Sequence, residues 1–572
     1  MDPSQLLSPT RSGELRAASL KHLPSWSKRQ SQHMILMVPV LVIVFLAFTF
    51  LLSGANQQRT ACPAHCGAFG ENATGSPLPA CHFPTHGTER EDLPQQLETD
   101  EPALLELLAR LDVGLGTPVK SASGGLEDPK CSYRVEHSAY QPWSPLGSGS
   151  PAFKRLAEAY EGFHTRCTQA AGNLSELTAA GGRAAPCKFL IVAELCNCSG
   201  LGNQLLALTS ALLYAMLTAR VLVVQAPGAL SYELLCQPFP GSEWRLDPNL
   251  VLKNFADGPN GIGRATLGNA SVAILDFWKN PSLTFCEEAT WELEESEFVA
   301  VSGNQYWLPS LYSQRRFQPL LQTLFPDNRP ARVLLRRFVN PADSVWELVK
   351  TAHAEKMSKP GARTAIQSRF GNIFGSGAYG PVHLQSLLSC GYTTGMLPRV
   401  SLEDRATNST KDANERPDYG RVMVASLLSE TIVKDLQEAY NASLETRHVD
   451  IYTVSHEGSQ QTNTRSHDQK ALADVWLLGY ADTLMITRGS TFGYIARAIG
   501  DSRAWLIDHD SATSEMGCVE SATAEPCYHF PPQAVACGPL RLSVEDFNFA
   551  RGSNVTRAVR SCQDSERGVT LV

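Results

Sequence analysis

The chain has 572 residues, of which 43% are hydrophobic and 19% charged, and this length allows one membrane anchor and two medium-sized domains. Lys and Arg number 49 against 57 Asp and Glu, which gives a formal net charge of −8. This charge argues against a nucleic-acid-binding protein that relies on a global positive field. The composition also excludes a polytopic membrane protein and a wholly disordered chain.

An uncharged apolar run occupies residues 34–52, with the sequence MILMVPVLVIVFLAFTFLL. At about 1.5 Å per residue a helix of this length spans the roughly 30 Å hydrocarbon core of a bilayer. Five Lys or Arg residues lie between positions 11 and 29, whereas only Arg59 follows the run closely. The positive-inside rule therefore predicts a single-pass type II anchor over 34–53, with a cytosolic tail over 1–33 and a luminal remainder. A cleaved signal peptide and a buried core helix are the alternatives.

The cysteines and glycosylation sequons agree with a luminal location. All 15 cysteines follow the apolar run, and in an oxidising compartment most of them would pair, although the sequence does not determine which. The odd count leaves at least one cysteine free or in an intermolecular bond. The candidate glycosylation sites are Asn72, Asn173, Asn269, Asn408, Asn441 and Asn554.

Beyond the anchor, residues 54–125 are rich in Gly, Pro, Thr and acidic residues and are predicted to form a stem, with one helix over 104–111. The globular part is predicted to begin near Cys131, where strands and helices start to alternate. This alternation is typical of an α/β fold with mainly parallel sheets, here in two domains with a ligand cleft between them. The predicted strands cover 188–194, 221–225, 364–368, 422–427, 450–454, 483–487 and 504–507; the predicted helices cover 205–218, 382–388, 471–478 and 494–499, with a further helix that ends at Tyr440.

Two loops between a strand and a helix are candidates for anion binding. Residues 199–204 (SGLGNQ) combine glycines, which let a ligand approach the backbone, with the free N–H groups of a helix start. Residues 489–493 (GSTFG) add hydroxyl groups to the same arrangement. The alternatives are an ordinary tight turn in the first case and a plain N-cap in the second.

Arg369 and His467 are the charged or titratable candidates. Arg369 directly follows a predicted strand, and a guanidinium at the carboxyl end of a strand can bind a diphosphate through two parallel hydrogen bonds. Most arginines, however, are solvated surface groups. His467 begins a predicted helix, where a lone histidine is usually structural or exposed.

Two further patterns are weaker. Residues 375–380 (GSGAYG) match a dinucleotide fingerprint, but six residues separate them from the strand and no acidic residue follows at the expected distance. Residues 508–510 (DHD) have the form of a metal-binding D-x-D pattern, which is common by chance.

Many colinear segments together resemble glycosyltransferase family 37, the plant-type α-1,2-fucosyltransferases related to xyloglucan fucosyltransferase. The similarity runs from about Leu104 to the C-terminus and includes the strand with Arg369. The matching segments are CSYR (131–134), CKFLIVAE (187–194), SGLGNQLLALTSALLYAMLTARVLVV (199–224), CQPFPGSEW (236–244), LPSLY (308–312), LFPD (324–327), VWELV (345–349), HDQKALADVWLL (467–478), RGSTFGYIARAIG (488–500), EPCYHFPP (525–532) and GVTLV (568–572).

The resemblance implies a Golgi enzyme whose catalytic part has two Rossmann-like lobes of GT-B type. The acceptor-side lobe is expected at 126–340, and the GDP-fucose-binding lobe, with a C-terminal extension, at 341–572. Such enzymes transfer fucose from GDP-fucose to the 2-hydroxyl of galactose with inversion, and need neither a metal nor a further cofactor. The expected partners are therefore GDP-fucose, a galactose-containing polysaccharide or glycoprotein, and the membrane, but no nucleic acid; a homodimer is left open.

By matching position, the resemblance also assigns site residues. Arg369 corresponds to the arginine that binds the donor diphosphate, and Asn203 is expected to share in catalysis. The expected donor-binding residues are Gly200, Gly202, Asn203, Arg369, His467, Ser490, Thr491 and Phe492.

Three departures from the family pattern affect these expectations. Gln204 stands where relatives usually carry Arg, and CNCS (196–199) adds two cysteines and a sequon before the glycine loop. Gly303 precedes Asn304 where relatives have Asp before Asn. If that Asp relays the acceptor proton, this chain lacks it.

Two hypotheses from other classes accompany the transferase. A non-catalytic, luminal glycan-binding protein would keep the fold without cleaving GDP-fucose. A luminal oxidoreductase built on residues 375–380 would need a nicotinamide cofactor and ignore GDP.

Overall fold

The computed structural model describes residues 102–114, 131–140, 149–182, 187–193, 200–225, 233–247, 249–258, 261–277, 279, 283–285, 293–359, 361–369, 379–398, 420–441, 449–454, 465–507, 517–532, 557–565 and 567–572. All of these residues belong to one compact unit, Gln96–Val572. Among them no helix is both long and apolar enough to cross a membrane. The predicted tail, the anchor at 34–53 and most of the stem lie outside the described residues.

The first half of the described unit contains a six-stranded sheet in the order β2-β1-β6-β5-β4-β3. Strands β2, β1, β6 and β5 are parallel, whereas β4 and β3 form an antiparallel edge. The apolar runs of β1 and β6 are buried almost throughout, as expected for parallel strands covered on both faces. The strands are β1 Phe189–Ala193, β2 Val221–Gln225, β3 Leu252–Asp257, β4 Gly263–Leu267, β5 Ala270–Asp276 and β6 Phe298–Ser302.

The second half contains another six-stranded sheet, in the order β12-β11-β10-β7-β8-β9. Five of these strands are parallel, and β12 alone runs antiparallel to its neighbour. An antiparallel hairpin, β13 with β14, follows near the C-terminus. The strands are β7 Arg363–Gln367, β8 Arg421–Ala425, β9 Asp450–Tyr452, β10 Thr483–Thr487, β11 Trp505–Ile507, β12 Cys518–Glu520, β13 Val559–Ser561 and β14 Val569–Leu571.

Helices surround the two sheets and join them. The helix that follows β10, α12, contacts α5 and α7, both of which precede the second sheet in the chain. The α-helices are α1 Pro102–Leu111, α2 Tyr133–Glu136, α3 Pro151–Ala171, α4 Leu174–Ala179, α5 Leu201–Leu217, α6 Gln318–Leu324, α7 Pro330–Phe338, α8 Asp343–Ala352, α9 Pro381–Thr394, α10 Ser429–Asn441, α11 Arg465–Gly479 and α12 Thr491–Gly500; short 3₁₀ turns lie at His137–Ala139, Leu283–Phe285 and Leu308–Ser313, and a π turn at His353–Met357.

Four disulfides link distant parts of the described chain, as expected for an oxidising compartment. One joins Cys131, near the start, to Cys236 after β2. The others are Cys167–Cys187, Cys390–Cys518 and Cys527–Cys562. The last of these fastens the C-terminal hairpin to the segment before it.

The predicted α/β class with two mainly parallel sheets is confirmed. The predicted strands and helices on the described residues are all present, with ends that shift by a few residues. The predicted start of the globular part near Cys131 is wrong, because α1 packs on α3 and its Leu104, Leu107 and Leu111 belong to the core. The pattern also failed to indicate β3 to β6, the long helix α3 and the C-terminal hairpin.

Candidate active site

The candidate site lies at the carboxyl edge of the second sheet, where β7 and β10 end side by side. Ser368 and Arg369 follow β7, and residues 488–490 join β10 to α12; residues 489–491, which end with the first residue of α12, are called the α12 loop below. The backbone N–H of Arg369 donates a hydrogen bond to Thr487 Oγ1 at 2.9 Å. This bond holds Arg369 against the end of β10, so that the α12 loop is its neighbour.

Three buried side-chain atoms at this edge have no hydrogen-bond partner within the described part of the chain: Gln367 Oε1, Ser368 Oγ and Ser490 Oγ. Ser368 and Ser490 are each only 1% exposed. Ser490 occupies the N-cap position of α12, yet its side chain makes no capping hydrogen bond. A buried polar atom without a partner costs about 1–3 kcal/mol. The cluster therefore indicates a polar ligand rather than a plain N-cap.

The electrostatics of this edge favour an anion. The N–H groups in the first turn of α12 have no partner within the helix and carry partial positive charge. Arg369 is half-buried, and burial lowers the pKa of its guanidinium. The guanidinium still carries its proton at neutral pH, because an arginine pKa lies far above 7 even when lowered. A planar cation beside helix N–H groups suits a diphosphate, which accepts several charge-assisted hydrogen bonds.

The start of α5, with its N-cap Gly200 and first-turn residues 201–203, contacts the α12 loop directly. Thr491 Oγ1 donates a hydrogen bond to Asn203 Oδ1 at 2.6 Å. A Cβ atom added to Gly202 would lie 2.8 Å from Thr491 Oγ1 and 3.0 Å from the backbone N of Phe492. Gly200 is the N-cap residue of α5. The structure thus brings together five of the predicted donor-binding residues: Gly200, Gly202, Asn203, Thr491 and Phe492.

His467 lies in the first turn of α11 and is partly buried. Among the contacts of this turn, Gln469 Nε2 donates hydrogen bonds to Ser344 Oγ at 2.9 Å and to the backbone oxygen of Glu233 at 3.2 Å. They connect the turn to α8 and to the chain after β2. A place for His467 in the donor site remains a prediction from the resemblance.

Two residues beside the α12 loop, His529 and Asp564, were not among the predicted site residues, and both contact Tyr494, the last residue of the STFGY run (490–494) that the resemblance assigns to the GDP site. Tyr494 OH donates to Asp564 Oδ2 at 2.5 Å and lies 2.9 Å from His529 Nε2. Burial lowers the pKa of His529 to about 4, and the positive charge of Arg369 acts in the same direction. His529 is therefore neutral at pH 7. Tyr494 follows the predicted GSTFG segment directly, but no local pattern connects it to Asp564, 70 residues further along the chain.

Gly303, one of the three departures from the family pattern, lies at the end of the first sheet. Gly303 follows β6, and a Cβ atom placed on it would lie 2.9 Å from Phe277 Cβ and 3.2 Å from Phe277 Cδ2. The Phe277 ring stacks on Trp307, with ring centres 4.8 Å apart. A carboxylate side chain at this position would have to displace Phe277.

The described residues include one group of possible metal ligands and two exposed candidate glycosylation sites. One group of three candidate ligands occurs there, Cys527, Cys562 and Asp564, but its sulfurs are bonded to each other and cannot act as thiolate ligands. Asn173 and Asn269 are exposed, whereas nothing is described of the Asn441 side chain. Asn72, Asn408, Asn554 and the patterns at 508–510 and 375–378 lie outside the described residues.

A solved structure shares this architecture. A mutant of Arabidopsis thaliana FUT1 in complex with GDP superposes with a TM-score of 0.62 and 24% sequence identity, covering 82% of this chain and all of that one. The fold is thus a two-sheet α/β fold of the kind found in that fucosyltransferase.

Sequence relatives give the family. A profile for xyloglucan fucosyltransferase matches residues 115–269 and 263–537. The galactoside 2-alpha-L-fucosyltransferase of Pisum sativum is 29% identical over 478 residues, which are 78% of this chain and 80% of that protein. The probable fucosyltransferase 4 of Arabidopsis thaliana is 30% identical over 387 residues, 64% of this chain and 70% of that protein. The chain belongs to the xyloglucan fucosyltransferase family and is a glycosyltransferase.

Proposed function

We propose that this chain transfers fucose from GDP-fucose to the 2-hydroxyl of a galactose residue, with inversion at the fucose anomeric carbon. The pea relative is named a galactoside 2-alpha-L-fucosyltransferase, and the FUT1 structure holds GDP. These names motivate the donor and the acceptor sugar, and the residues at the start of α12 supply the chemistry.

The observation that carries the proposal is the set of unsatisfied polar groups beside Arg369. Ser368 Oγ and Ser490 Oγ are buried without partners in the described chain, at a helix start that favours negative charge. A diphosphate would accept hydrogen bonds from both hydroxyls, from the first N–H groups of α12 and from the guanidinium. These hydrogen-bonding groups are fixed in place before GDP-fucose binds, so they need no reorganisation during the reaction.

Stabilisation of the leaving group is the main source of rate acceleration in this mechanism. As the bond between fucose and GDP breaks, negative charge grows on the diphosphate and positive charge on the sugar ring. Contacts with Arg369 and the α12 loop therefore strengthen between the ground state and the transition state, which is the condition for lowering the barrier. Inversion requires the galactose hydroxyl to approach from the face opposite the diphosphate.

The acceptor hydroxyl needs positioning more than it needs a strong base. Gly303 offers no carboxylate, and Phe277 fills the space next to it. Because the leaving group carries most of the charge change, the hydroxyl can lose its proton late, to solvent water, after the bond to fucose has begun to form. Fixed orientation of the acceptor supplies several kcal/mol in such a reaction. In the proposed GT-B arrangement Asn203, which bonds to Thr491, would orient the sugar between the two lobes.

The cellular setting is part of the same proposal. The apolar run at 34–52 would anchor the chain in the Golgi membrane with its catalytic part in the lumen. The disulfides of the described residues fit an oxidising compartment. The acceptor would be a cell-wall glycan with exposed galactose, either xyloglucan-like or an arabinogalactan.

The test is to incubate the full-length chain with GDP-fucose and a panel of galactose-terminated glycans. We expect GDP release and a product that carries fucose on the galactose 2-hydroxyl. Binding of glycans without GDP release would instead establish the non-catalytic glycan-binding protein. Failure of GDP to stabilise the chain against heat would reject the donor site itself.

We also propose that transfer needs no divalent metal. In the proposed site, Arg369 and the α12 N–H groups would offset the charge of the diphosphate. Activity should therefore survive excess EDTA. Loss of activity in the chelator, with recovery on addition of Mn²⁺, would refute this proposal and would support metal binding by residues 508–510.

A further inference from the structure

The C-terminal hairpin reaches the loop at which the diphosphate is proposed to bind. Asp564, between β13 and β14, accepts a hydrogen bond from the backbone N–H of Gly489 at 3.3 Å and one from Tyr494 OH at 2.5 Å. We propose that Asp564 is a positioning residue that holds the α12 loop in the shape required to bind the donor. This inference rests on the proposed function, because it concerns the same donor site.

The two bonds hold the first residue of the α12 loop and a residue three positions beyond its last. Gly489 begins the α12 loop with a positive φ of 69°, and Tyr494 lies one turn into α12. Ser490 and Thr491 lie between these contacts, and they carry the unpartnered hydroxyl and the bond to Asn203. A shift of the loop would therefore move both groups relative to Arg369.

The hydrogen-bond directions are set by burial. Tyr494 is buried, and burial together with the Asp564 carboxylate raises the pKa of its phenol well above the ordinary value, so the hydroxyl keeps its proton and donates it to Asp564. His529, which is neutral, can then donate from Nε2 to the phenol oxygen. A chain of donors runs from His529 through Tyr494 to Asp564, and each bond in such a chain strengthens the next.

The C-terminal hairpin is held in place by a disulfide and by backbone hydrogen bonds, so Asp564 can fix the position of the α12 loop. The Cys527–Cys562 disulfide joins it to the segment that also carries His529. Tyr528 and Val569 exchange two backbone hydrogen bonds, of 2.7 and 2.9 Å. The cavity beside the hairpin is lined by Arg497, Asp564 and Thr570 among others; its volume is about 10 Å³, which is room for at most one water molecule. The space that Asp564 borders is thus too small for a second ligand of larger size.

Two substitutions of Asp564, by Asn and by Ala, distinguish a role in hydrogen bonding to the α12 loop. Both donors bond to the same oxygen, Oδ2, so the amide oxygen of Asn can accept both bonds, whereas Ala accepts neither. Tyr494→Phe removes one of the two bonds and keeps the buried ring. Thr570→Ala is the matched control. Thr570 lies on the same hairpin, and its Oγ1 bonds to the backbone oxygen of Pro526 at 3.0 Å without touching the α12 loop.

The experiment compares these full-length variants in steady-state kinetics and in hydrogen–deuterium exchange of peptides that cover 486–494. Asp564→Ala should raise KM for GDP-fucose by about tenfold, as expected for two lost hydrogen bonds, and should increase deuterium uptake in these peptides. Asp564→Asn should recover most of both losses. Tyr494→Phe should fall between them, and Thr570→Ala should leave KM and uptake unchanged even if it melts earlier.

Several outcomes would overturn the inference. These are unchanged uptake in Asp564→Ala, raised uptake with an unchanged KM, or an equal rise of KM in Thr570→Ala. If Asp564→Ala does not fold, Tyr494→Phe decides the question by the same two measurements. If the wild-type chain does not use GDP-fucose, the proposed function fails and the inference that depends on it is rejected too; the exchange data would then show only whether Asp564 orders the loop.

Discussion

Replacement of Arg369 is the most direct perturbation of the proposed donor site. The guanidinium is half-buried and would face a diphosphate whose charge grows as the glycosidic bond breaks. Removing one partner of a desolvated, charge-assisted pair costs about 2–5 kcal/mol. Because the hydroxyls of Ser368 and Ser490 and the α12 N–H groups would remain, we expect the lower half of that range. This corresponds to a loss of roughly 30- to 400-fold in kcat/KM for Arg369→Ala.

The assay is GDP release with GDP-fucose varied at a fixed acceptor concentration. Arg369→Lys should recover little, because an ammonium group cannot reproduce the planar pair of parallel donors. Arg503→Ala is the matched control. Arg503 precedes β11, at the opposite edge of the same sheet, and its guanidinium pairs with Glu520 at 2.9 Å. It should retain wild-type kinetics.

Thermal unfolding separates a binding defect from a folding defect. Arg369→Ala should melt close to the wild-type temperature but gain less stability from added GDP, since ligand stabilisation depends on the dissociation constant. A folded Arg369→Ala enzyme with near-normal kcat and KM for GDP-fucose would refute the assignment of the donor site.

Three further predictions concern contacts beyond Arg369. Asn203→Ala and Thr491→Val should each lower kcat/KM, with a coupling of about 0.5–1.5 kcal/mol in a double-mutant cycle; strictly additive effects would mean that their 2.6 Å bond does not contribute. A chain that starts at residue 96 should fold and catalyse transfer. A chain that starts at residue 126 lacks α1, whose three buried leucines each contribute about 1.5–3 kcal/mol, so it should unfold at a lower urea concentration. Equal urea midpoints for the two chains would contradict this. Burial raises the pKa of Glu525 from 4.5 to about 8, so stability should fall as pH rises through this interval, and Glu525→Gln should flatten the profile; parallel profiles for both proteins would rule this out.

The hydrophobic pattern predicted those strands that are buried on both faces. Strand β2 is observed at 221–225, as predicted, because a parallel strand covered by helices reads as a continuous apolar run. Strand β3 escaped prediction because it lies at an antiparallel edge, and five of its six residues are exposed. The start of α3 does have a local sequence signal, an N-cap serine followed by proline. Ser150 caps the helix by accepting from Phe153 N at 3.0 Å, and Pro151 follows it.

The same contrast holds for the site. The α5 and α12 loops were predictable because glycine, serine and threonine between a strand and a helix form a local signal. Asp564 was not predictable. Its partner Tyr494 is 70 residues away, and the approach depends on the Cys527–Cys562 disulfide, whose pairing one sequence does not determine. The sequence therefore predicts the loops of the proposed donor site better than the residue that holds one of them in place.

The structure gives Gly202 a reason to be glycine that differs from the one inferred from the sequence. The sequence argument needed glycine there so that a ligand could approach the backbone. In the structure the missing Cβ is replaced by the chain itself, since Thr491 Oγ1 would lie 2.8 Å from it. The glycine is required because the two loops touch, and the neighbouring Asn203 bonds to that same hydroxyl. Segments that follow a strand of each sheet thus contact each other, so in the proposed donor site the first segment would affect the donor through its contact with α12 as well as through its own backbone.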